Sequence, residues 1–335
     1  MSDKRHILVI RRDNIGDLVC TLPLIHRLRE LFPEAWIGAL VTSYNVEVLQ
    51  GNPDLDAVFT YTKAKHLGAG ESALGAMWSR LRQLWQLRRK HIDLVLLPAG
   101  GAQSSARRMA RLVGARRVIA QDDLPADPAA RHEVERVAGL LQALGFQSAD
   151  MPPARIQPRT DLLAQAQAKL VPDENRMAQG AALGLHISAR KPTQRWPAER
   201  FITLIQSLHA ADPTLRFALF WAPGTNDNPL HPGDDAKAQQ IMAACAGLPL
   251  TPMPTQSLAE LIAGLAACSR VVCSDGGHMH LAAALGKPIV CLFGKSDAAR
   301  WHPWGVPHRL LQPATEDVGD VTVAEVLAAL ATLPG

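Results

Sequence analysis

The segment from Val271 to Gly294 constrains the fold of this chain more than any other part of the sequence. A β-branched run enters an Asp-Gly-Gly turn at residues 275–277, and an apolar helical segment follows from Leu281 to Leu285. A Gly-Lys-Pro turn then leads into a second apolar strand, Ile289 to Phe293. A strand, a turn, a helix, a turn and a strand in this order indicate one unit of a parallel α/β sheet.

Gly276 and Gly277 lie where the helix of this unit begins. The first N–H groups of a helix have no intrahelical acceptor, and the helix dipole adds partial positive charge there. The position therefore suits a phosphate group, to which His278 and His280 can add donors. Alternatively, the glycines only make the tight turn that every such unit needs. The acidic residue before them and the two histidines after them favour a diphosphate site.

The same two histidines could also bind a metal ion, because His-x-His occurs in zinc sites. No cluster of carboxylates or cysteines with a fixed spacing accompanies them. We therefore predict neither a metal site nor a cofactor.

Strands and helices alternate along both halves of the chain. The first strand, His6 to Ile10, leads into a predicted helix from Asp17 to Leu31, and residues 151–180 interrupt the alternation with four prolines. This pattern predicts an α/β protein of two doubly wound, Rossmann-like domains, 1–165 and 176–335. They should face each other across a ligand cleft at the carboxyl ends of their strands. A capping box at Thr322 begins a last helix, which we expect to pack back towards the N-terminal domain.

Composition agrees with a folded protein of two domains. The chain has 335 residues, of which 47% are hydrophobic and 20% are charged. Its apolar runs are far shorter than the ~20 residues of a membrane span, and its beginning has no signal-peptide pattern. The five cysteines are an odd number without CxxC spacing, which is typical of reduced core thiols in a cytoplasmic protein.

The net charge differs between the two halves. Residues 1–170 contain 23 basic and 17 acidic side chains, a net charge of +6, whereas the remainder contains 12 and 14, a net charge of −2. A basic N-terminal half suggests an anionic partner. Nucleic acid is disfavoured, because no basic run is interleaved with aromatic residues. Solvated basic helix faces would explain the same charge without any partner.

Three blocks in order resemble the heptosyltransferases of glycosyltransferase family 9, which build the lipopolysaccharide core and have the GT-B architecture. The first block, Ile7 to Pro33, resembles the family's opening strand, Gly-Asp turn and Leu-Pro helix. The second, Leu185 to Phe201, resembles its strand, basic loop and Trp-Pro helix start. The third, Ser274 to Gly305, resembles its Asp-x-Gly-x-x-His signature and the Phe-Gly and Trp-x-Pro elements after it.

The resemblance implies an inverting, metal-independent transfer of heptose, or of a related sugar, from an ADP-sugar to a glycan acceptor. Such a reaction needs a base at the acceptor hydroxyl and positive charge at the departing diphosphate. The resemblance gives the role of base to Asp17, with Asp13 in the same loop as the rival. Asp17 could instead serve only as a helix N-cap.

For the donor, the resemblance implies phosphate contacts at the Gly276-Gly277 turn, at His280 and at the hydroxyl of Ser188, with Asp275 orienting the turn. The chain departs from the family at Gln194, where a lysine is usual two residues before the Trp-Pro. Lys191 or Arg195 could supply the missing charge. Asn226 or Asp227 is expected at the ribose hydroxyls.

The acceptor is expected to be a phosphorylated glycolipid, held by a basic wall of the N-terminal domain. Its expected members follow predicted strands: Arg11, Arg12, Lys63, Lys65, Arg107 and Arg108. The protein should then act as a cytoplasmic monomer in peripheral contact with the inner membrane surface, without nucleic acid. Two alternatives are a nucleotide-sugar epimerase or hydrolase of GT-B shape, and a non-catalytic protein. The second is disfavoured, because Asp17 and the glycine pair are both present.

Overall fold

The structure is a computed structural model that describes residues 5–61, 73–99, 104–146, 150–170, 182–225 and 233–334. Side chains are described for all of these except residues 61, 73–80 and 104. The chain divides into two compact units, Met1–Ile156 and Gln157–Gly335. No helix in the described part is long and apolar enough to cross a membrane.

The first unit has a five-stranded parallel sheet in the order β3-β2-β1-β4-β5. Its strands are β1 His6–Ile10, β2 Trp36–Thr42, β3 Ala57–Tyr61, β4 Leu94–Leu97 and β5 Arg117–Ala120. Its helices are α1 Ile15–Val19, α2 Leu22–Leu31, α3 Ala73–Arg89, α4 Ser104–Val113 and α5 Glu133–Gln142. All seven residues of β2 are buried, as expected for a parallel strand that is covered on both faces.

The predicted helix from Asp17 to Leu31 is wrong at its start and in its continuity. The structure begins α1 at Ile15 and divides the segment into α1 and α2, with Thr21 as the N-cap of α2 and Pro23 in its first turn. Pro23 has no backbone N–H to donate to the carbonyl oxygen of Val19, so one continuous helix cannot pass through this turn, whereas proline is tolerated in the first turn of a new helix.

The second unit has a six-stranded parallel sheet in the order β11-β10-β9-β6-β7-β8. Its strands are β6 Ala182–His186, β7 Phe217–Trp221, β8 Leu250–Pro254, β9 Cys268–Ser274, β10 Ile289–Leu292 and β11 His308–Leu311. Its helices are α6 Thr160–Leu170, α7 Ala198–Ala211, α8 Asp235–Ala244, α9 Leu258–Ala266, α10 Gly277–Ala284, α11 Ala298–Trp301 and α12 Val323–Ala331. The predicted fold class, doubly wound α/β with two parallel sheets, is confirmed.

The two units divide earlier than the sequence predicted. Helix α6 packs against α9 and belongs to the second unit, whereas the predicted N-terminal domain extended to residue 165. The last helix, α12, packs against α7, β10 and β11 of its own unit. Its predicted packing onto the N-terminal domain stays a prediction.

Each sheet reverses its strand order once, and the reversal fixes where a ligand can bind. In the first unit it lies between β1 and β4, and in the second between β6 and β9. Open α/β sheets bind ligands outside the carboxyl ends of the strands at this switch point. Residues that directly follow β1, β4, β6 and β9 are therefore the candidates for the functional site.

Candidate active site

Arg11 directly follows β1 and forms the centre of a buried charge cluster. Only 1% of the residue is exposed. Its Nε donates to Asp13 Oδ1 at 2.9 Å, and its Nη2 donates to Asp17 Oδ1 at 2.8 Å and to Glu133 Oε1 at 3.1 Å. Its Nη1 donates to the carbonyl oxygen of Pro98, which directly follows β4. The guanidinium thus joins the two strand ends of the switch point and holds three carboxylates there.

At the centre of this cluster one cation meets three acidic groups, while Arg136 Nε lies farther out, 3.8 Å from Glu133 Oε2. The pKa values of Arg11 and Asp13 reflect this arrangement. Burial lowers the pKa of the Arg11 guanidinium, but the three carboxylates outweigh it, so its pKa is raised. The pKa of Asp13 is raised to about 6, because burial and the negative charge of Asp17 outweigh the lowering effect of Arg11. Asp13 therefore titrates near pH 6.

Asp17 is held by three donors at the start of α1. Besides the bond from Arg11, its Oδ2 accepts from the backbone N–H of Asn14 at 3.2 Å and from the side-chain Nδ2 of Asn14 at 2.9 Å. Asn14 is the N-cap and Asp17 is the third residue of the helix, so Asp17 is not itself the N-cap. Helix capping does not occupy both oxygens of this carboxylate, because Oδ1 pairs with Arg11. In addition, 15% of the side chain is exposed.

The structure does not support a basic wall with the predicted members. Arg11 and Arg12 are buried, at 1% and 7% exposed, so neither lies on a surface that could meet an acceptor. Arg107 donates two hydrogen bonds to Asp123, at 2.8 and 3.0 Å, which offsets its charge. Of the four predicted members that the structure describes, Arg108 is the exposed one. Lys63 and Lys65 lie outside the described residues.

In the second unit, the Asp275-Gly276-Gly277 turn joins the end of β9 to α10 as predicted. The first backbone bonds inside α10 are those that Met279 and His280 donate to Gly276 O, so the N–H groups of Gly277 and His278 have no intrahelical acceptor. Gly276 itself has extended backbone, with φ 166°. An anion at this turn would meet two unused donors and the positive end of the helix dipole.

Asp275 fixes the position of this turn. Its Oδ2 accepts from Gln194 Nε2 at 2.8 Å and from Ser296 Oγ at 2.7 Å, and its N–H donates to Leu292 O at 2.9 Å. The amide of Gln194 therefore holds the turn and carries no charge for a phosphate. Gly294 lets this loop approach closely, because an added Cβ there would lie 2.2 Å from the carbonyl oxygen of Thr193.

The loop after β6 brings the other predicted donor residues to the same switch point. Ser188 Oγ accepts from the N–H of Ala222 at 2.9 Å, which leaves its hydroxyl proton to donate. Lys191 is exposed, and Arg195 Nε donates to Ala189 O at 2.8 Å. Asn226 and Asp227 lie outside the described residues.

Two histidines stack across the switch point. The rings of His186 and His278 are nearly parallel, with centroids 3.7 Å apart. His278 Nε2 lies 2.8 Å from Ser274 O, and because a carbonyl only accepts, this nitrogen carries the proton. Burial lowers the pKa of His186 well below its usual 6.5, and His278 lowers it further, so His186 is neutral at pH 7. His280 is buried, and its ring packs edge-on against Trp301 at 6.0 Å.

Lys237, on α8, is a cation that the sequence did not single out. Its Nζ donates to Ile187 O at 2.9 Å and to Trp196 O at 2.7 Å, and lies over the ring of Phe201. Burial lowers its pKa to about 8. Lys237 thus joins both ends of the loop that carries Ser188 and Arg195. Glu133 and Ser296 were not predicted as site residues either, because the sequence around them does not indicate which residues they contact.

Comparison with known proteins agrees with a sugar transferase built on this fold. The chain is 25% identical to lipopolysaccharide heptosyltransferase 3 of Escherichia coli over 308 residues, which is 86% of this chain and 83% of that protein. A family 9 glycosyl transferase from Veillonella parvula matches with a TM-score of 0.83 and 18% identity, over 98% of this chain and 97% of that one. E. coli heptosyltransferase WaaC, solved with ADP, matches with a TM-score of 0.74 and 20% identity, over 97% and 99%.

These folds and sites define the chain as a glycosyltransferase of the GT-B class. The model of glycosyltransferase family 9 (heptosyltransferase) matches residues 81–319, more than half of the chain. The chain therefore belongs to this family, and the resemblance that its three sequence blocks carry is confirmed. The predicted enzyme class, a heptosyl-transferring glycosyltransferase, is confirmed with it. Family membership favours transfer over epimerisation, hydrolysis or a non-catalytic role.

Proposed function

We propose that this protein is an inverting, metal-independent heptosyltransferase. Its donor is ADP-heptose and its acceptor is a phosphorylated glycolipid of the lipopolysaccharide core, reached by a monomer at the inner face of the cytoplasmic membrane. The observation that carries the proposal is the Asp275-Gly276-Gly277 turn, whose unused N–H groups lie at the switch point of the second sheet. Relatives with lipopolysaccharide heptosyltransferase names and a neighbour solved with ADP support the same donor and acceptor.

The donor diphosphate binds in the second unit. The N–H groups of Gly277 and His278 and the hydroxyl of Ser188 donate to its oxygens, and the dipole of α10 stabilises the charge that grows as the diphosphate leaves. Because Gln194 is neutral and is bonded to Asp275, the exposed Lys191 and the loop residue Arg195 supply the positive charge. The amide of Gln194 and the hydroxyl of Ser296 hold the turn in place throughout the reaction.

The acceptor hydroxyl is activated in the first unit by Asp17. Arg11 and Asn14 hold its carboxylate in one orientation, and Asp17 takes the hydroxyl proton as the oxygen attacks the anomeric carbon. Attack from the face opposite the diphosphate inverts the configuration at that carbon. Asp13 is the rival, because its pKa of about 6 suits a base near neutral pH. We assign the base to Asp17 because it occupies the Gly-Asp position of the family motif and its carboxylate has a single fixed orientation.

Blocking the proposed diphosphate site should strongly weaken ADP binding. In Gly277→Asp a carboxylate is added beside the donor N–H groups, so steric overlap and charge repulsion both oppose the diphosphate. We expect calorimetric ADP affinity to fall at least about 100-fold, which corresponds to about 2.7 kcal/mol.

Ala246→Asp is the matched control, since it adds the same charge at an exposed position of the same unit. It should bind ADP as the unmodified protein does, and EDTA should change neither affinity nor turnover. Undiminished ADP binding by Gly277→Asp, or a strict metal requirement, would contradict the proposed donor site.

Arg108 is the described member of the predicted basic wall that remains free to meet a phosphorylated acceptor. Arg108→Glu should raise the acceptor KM about tenfold at low salt, with a smaller effect at high salt because exposed charges are screened. Calorimetric ADP affinity should stay the same.

Arg116→Glu makes the same charge change just before β5, on the side of the amino ends of the strands, and should leave the acceptor KM unchanged. If Arg108→Glu and Arg116→Glu change the acceptor KM equally, the basic residues of the first half are only solvated surface charges. The proposal of a phosphorylated acceptor then loses the support of this charge.

A further inference from the structure

Helix α3 has an exposed face that the proposed reaction does not use. Two of its large hydrophobic side chains, Leu81 and Trp85, are 49% and 56% exposed. Arg82, Arg88 and Arg89 are exposed on the same helix. Since a helix turns by about 100° per residue, these five residues fall within roughly one third of its circumference. They are called the α3 face below.

The opposite side of the helix fixes this orientation. Leu87 is 1% exposed and Leu84 is partly buried, and both pack into the core of the first unit with Leu8 and Val95. The α3 face therefore points away from that core. Its apolar side chains lie in the middle of the face, with arginines on both sides of them.

The charge of the α3 face is of one sign. Residues 73–90 contain five basic residues and no acidic residue. Arg82, Arg88 and Arg89 form no ion pair with a carboxylate within the part of the chain that the structure describes. The guanidinium carbon of Arg89 lies 4.5 Å from the ring centroid of Trp85, so the arginine stacks on the indole and both stay exposed.

These features match the boundary between lipid headgroups and acyl chains. Tryptophan and leucine insert at that depth, while arginines extend to the lipid phosphates. A folded protein partner would need ~800 Å² of complementary surface, whereas the apolar part of this face consists of two side chains among those that the structure describes. Because these arginines have no carboxylate partner within the described residues, they favour binding to a surface that is negatively charged throughout, as an anionic bilayer is.

We propose that the α3 face docks the protein on an anionic lipid bilayer, with Trp85 and Leu81 at headgroup level and the arginines on lipid phosphates. This docking adds a membrane contact to the proposed function. It rests on that function in one respect, because a membrane-anchored acceptor requires the enzyme to reach the bilayer. The contact itself is argued from α3 alone.

Co-sedimentation of the full chain with lipid vesicles tests the proposal. The protein should bind vesicles of equal parts phosphatidylglycerol and phosphatidylcholine, should not bind phosphatidylcholine alone, and should be released by salt. Each basic side chain that is removed should weaken binding about fivefold, so Arg88→Gln with Arg89→Gln should weaken it about 25-fold. Trp85→Ala should weaken binding by the same factor at every salt concentration at which binding is still measurable, because its contribution is apolar.

Matched controls lie elsewhere in the first unit. Arg116→Gln with Arg117→Gln removes two exposed charges, and Leu112→Ala truncates an exposed leucine of α4. Both should bind vesicles like the unmodified protein. Failure of the protein to bind anionic vesicles, or equal binding by the α3 variants and the controls, would overturn the proposal.

A dimer in solution that Trp85→Ala converts to monomers would also overturn it, since a second copy would then cover the face. The vesicles contain neither donor nor acceptor. The result therefore does not depend on whether the proposed transfer reaction is correct.

Discussion

Asp17→Asn is expected to remove most turnover while ADP affinity stays unchanged. The amide cannot accept the hydroxyl proton, and loss of a general base typically slows a reaction by on the order of 10²–10⁴-fold. Asparagine keeps the size of the side chain and one oxygen for the N–H of Asn14, so α1 should keep its cap. The measurement is single-turnover transfer together with ADP calorimetry on the same preparation.

Asp13→Asn is the comparison that makes this result specific. Asp13 is bound to the same guanidinium and is buried to the same extent, so its replacement perturbs the cluster similarly. With Asp17 as the base, Asp13→Asn should keep substantial turnover and lose any acid limb near pH 6 that comes from Asp13 itself. If Asp13→Asn loses turnover and Asp17→Asn keeps it, the base is Asp13.

Arg11→Met should destabilise the first unit more than any other change considered for it. The methionine fills part of the volume but removes the cation that Asp13, Asp17 and Glu133 share, and Glu133 keeps only the longer 3.8 Å pair with Arg136 among the ion pairs of the described residues. Removing one partner of a buried ion pair costs about 3–5 kcal/mol in free energy of unfolding, because the remaining charge stays desolvated. Urea unfolding at pH 7 measures this loss.

The loss of stability in Arg11→Met should become larger as the pH rises. Without Arg11 the pKa of Asp13 should rise further above its unfolded value, because the lowering effect of the guanidinium is lost. The folded state then binds more protons than the unfolded state, so its stability falls as pH rises. Asp13 already behaves this way in the unmodified protein, since its pKa lies at about 6 instead of 3.8. The deficit of Arg11→Met should therefore be smaller at pH 5 than at pH 8.

Two further variants test the cause. Glu133→Gln added to Arg11→Met removes one of the uncompensated charges and should recover part of the stability. Arg107→Met breaks an exposed pair with Asp123 and should change stability little, because surface ion pairs contribute little. A loss in Arg11→Met that neither varies with pH nor responds to Glu133→Gln would mean that packing, and not charge, decides it.

Local sequence was sufficient to predict the elements whose pattern lies within a single strand–turn–helix segment. The strand, Asp-Gly-Gly turn and helix around residue 275 follow from neighbouring residues, because turn geometry and helix capping are decided within a few positions. The edge strands β8 and β11 could not be predicted in this way. β8 contains Pro252 and Pro254, which normally argue against a strand, and it is tolerated because it pairs on one side only.

The sequence by itself determined the alternation of strands and helices, the family, and the two switch-point loops that carry Asp17 and Gly277. Only the tertiary structure decided what surrounds them. Glu133 is 122 positions from Arg11, and Gln194 is 81 positions from Asp275, yet each pair is hydrogen-bonded. Parallel strands bring distant carboxyl ends to one edge, and a buried charge there requires a partner. Arg11 thus became the buried centre of a carboxylate cluster, where its sequence position alone had predicted an exposed cation.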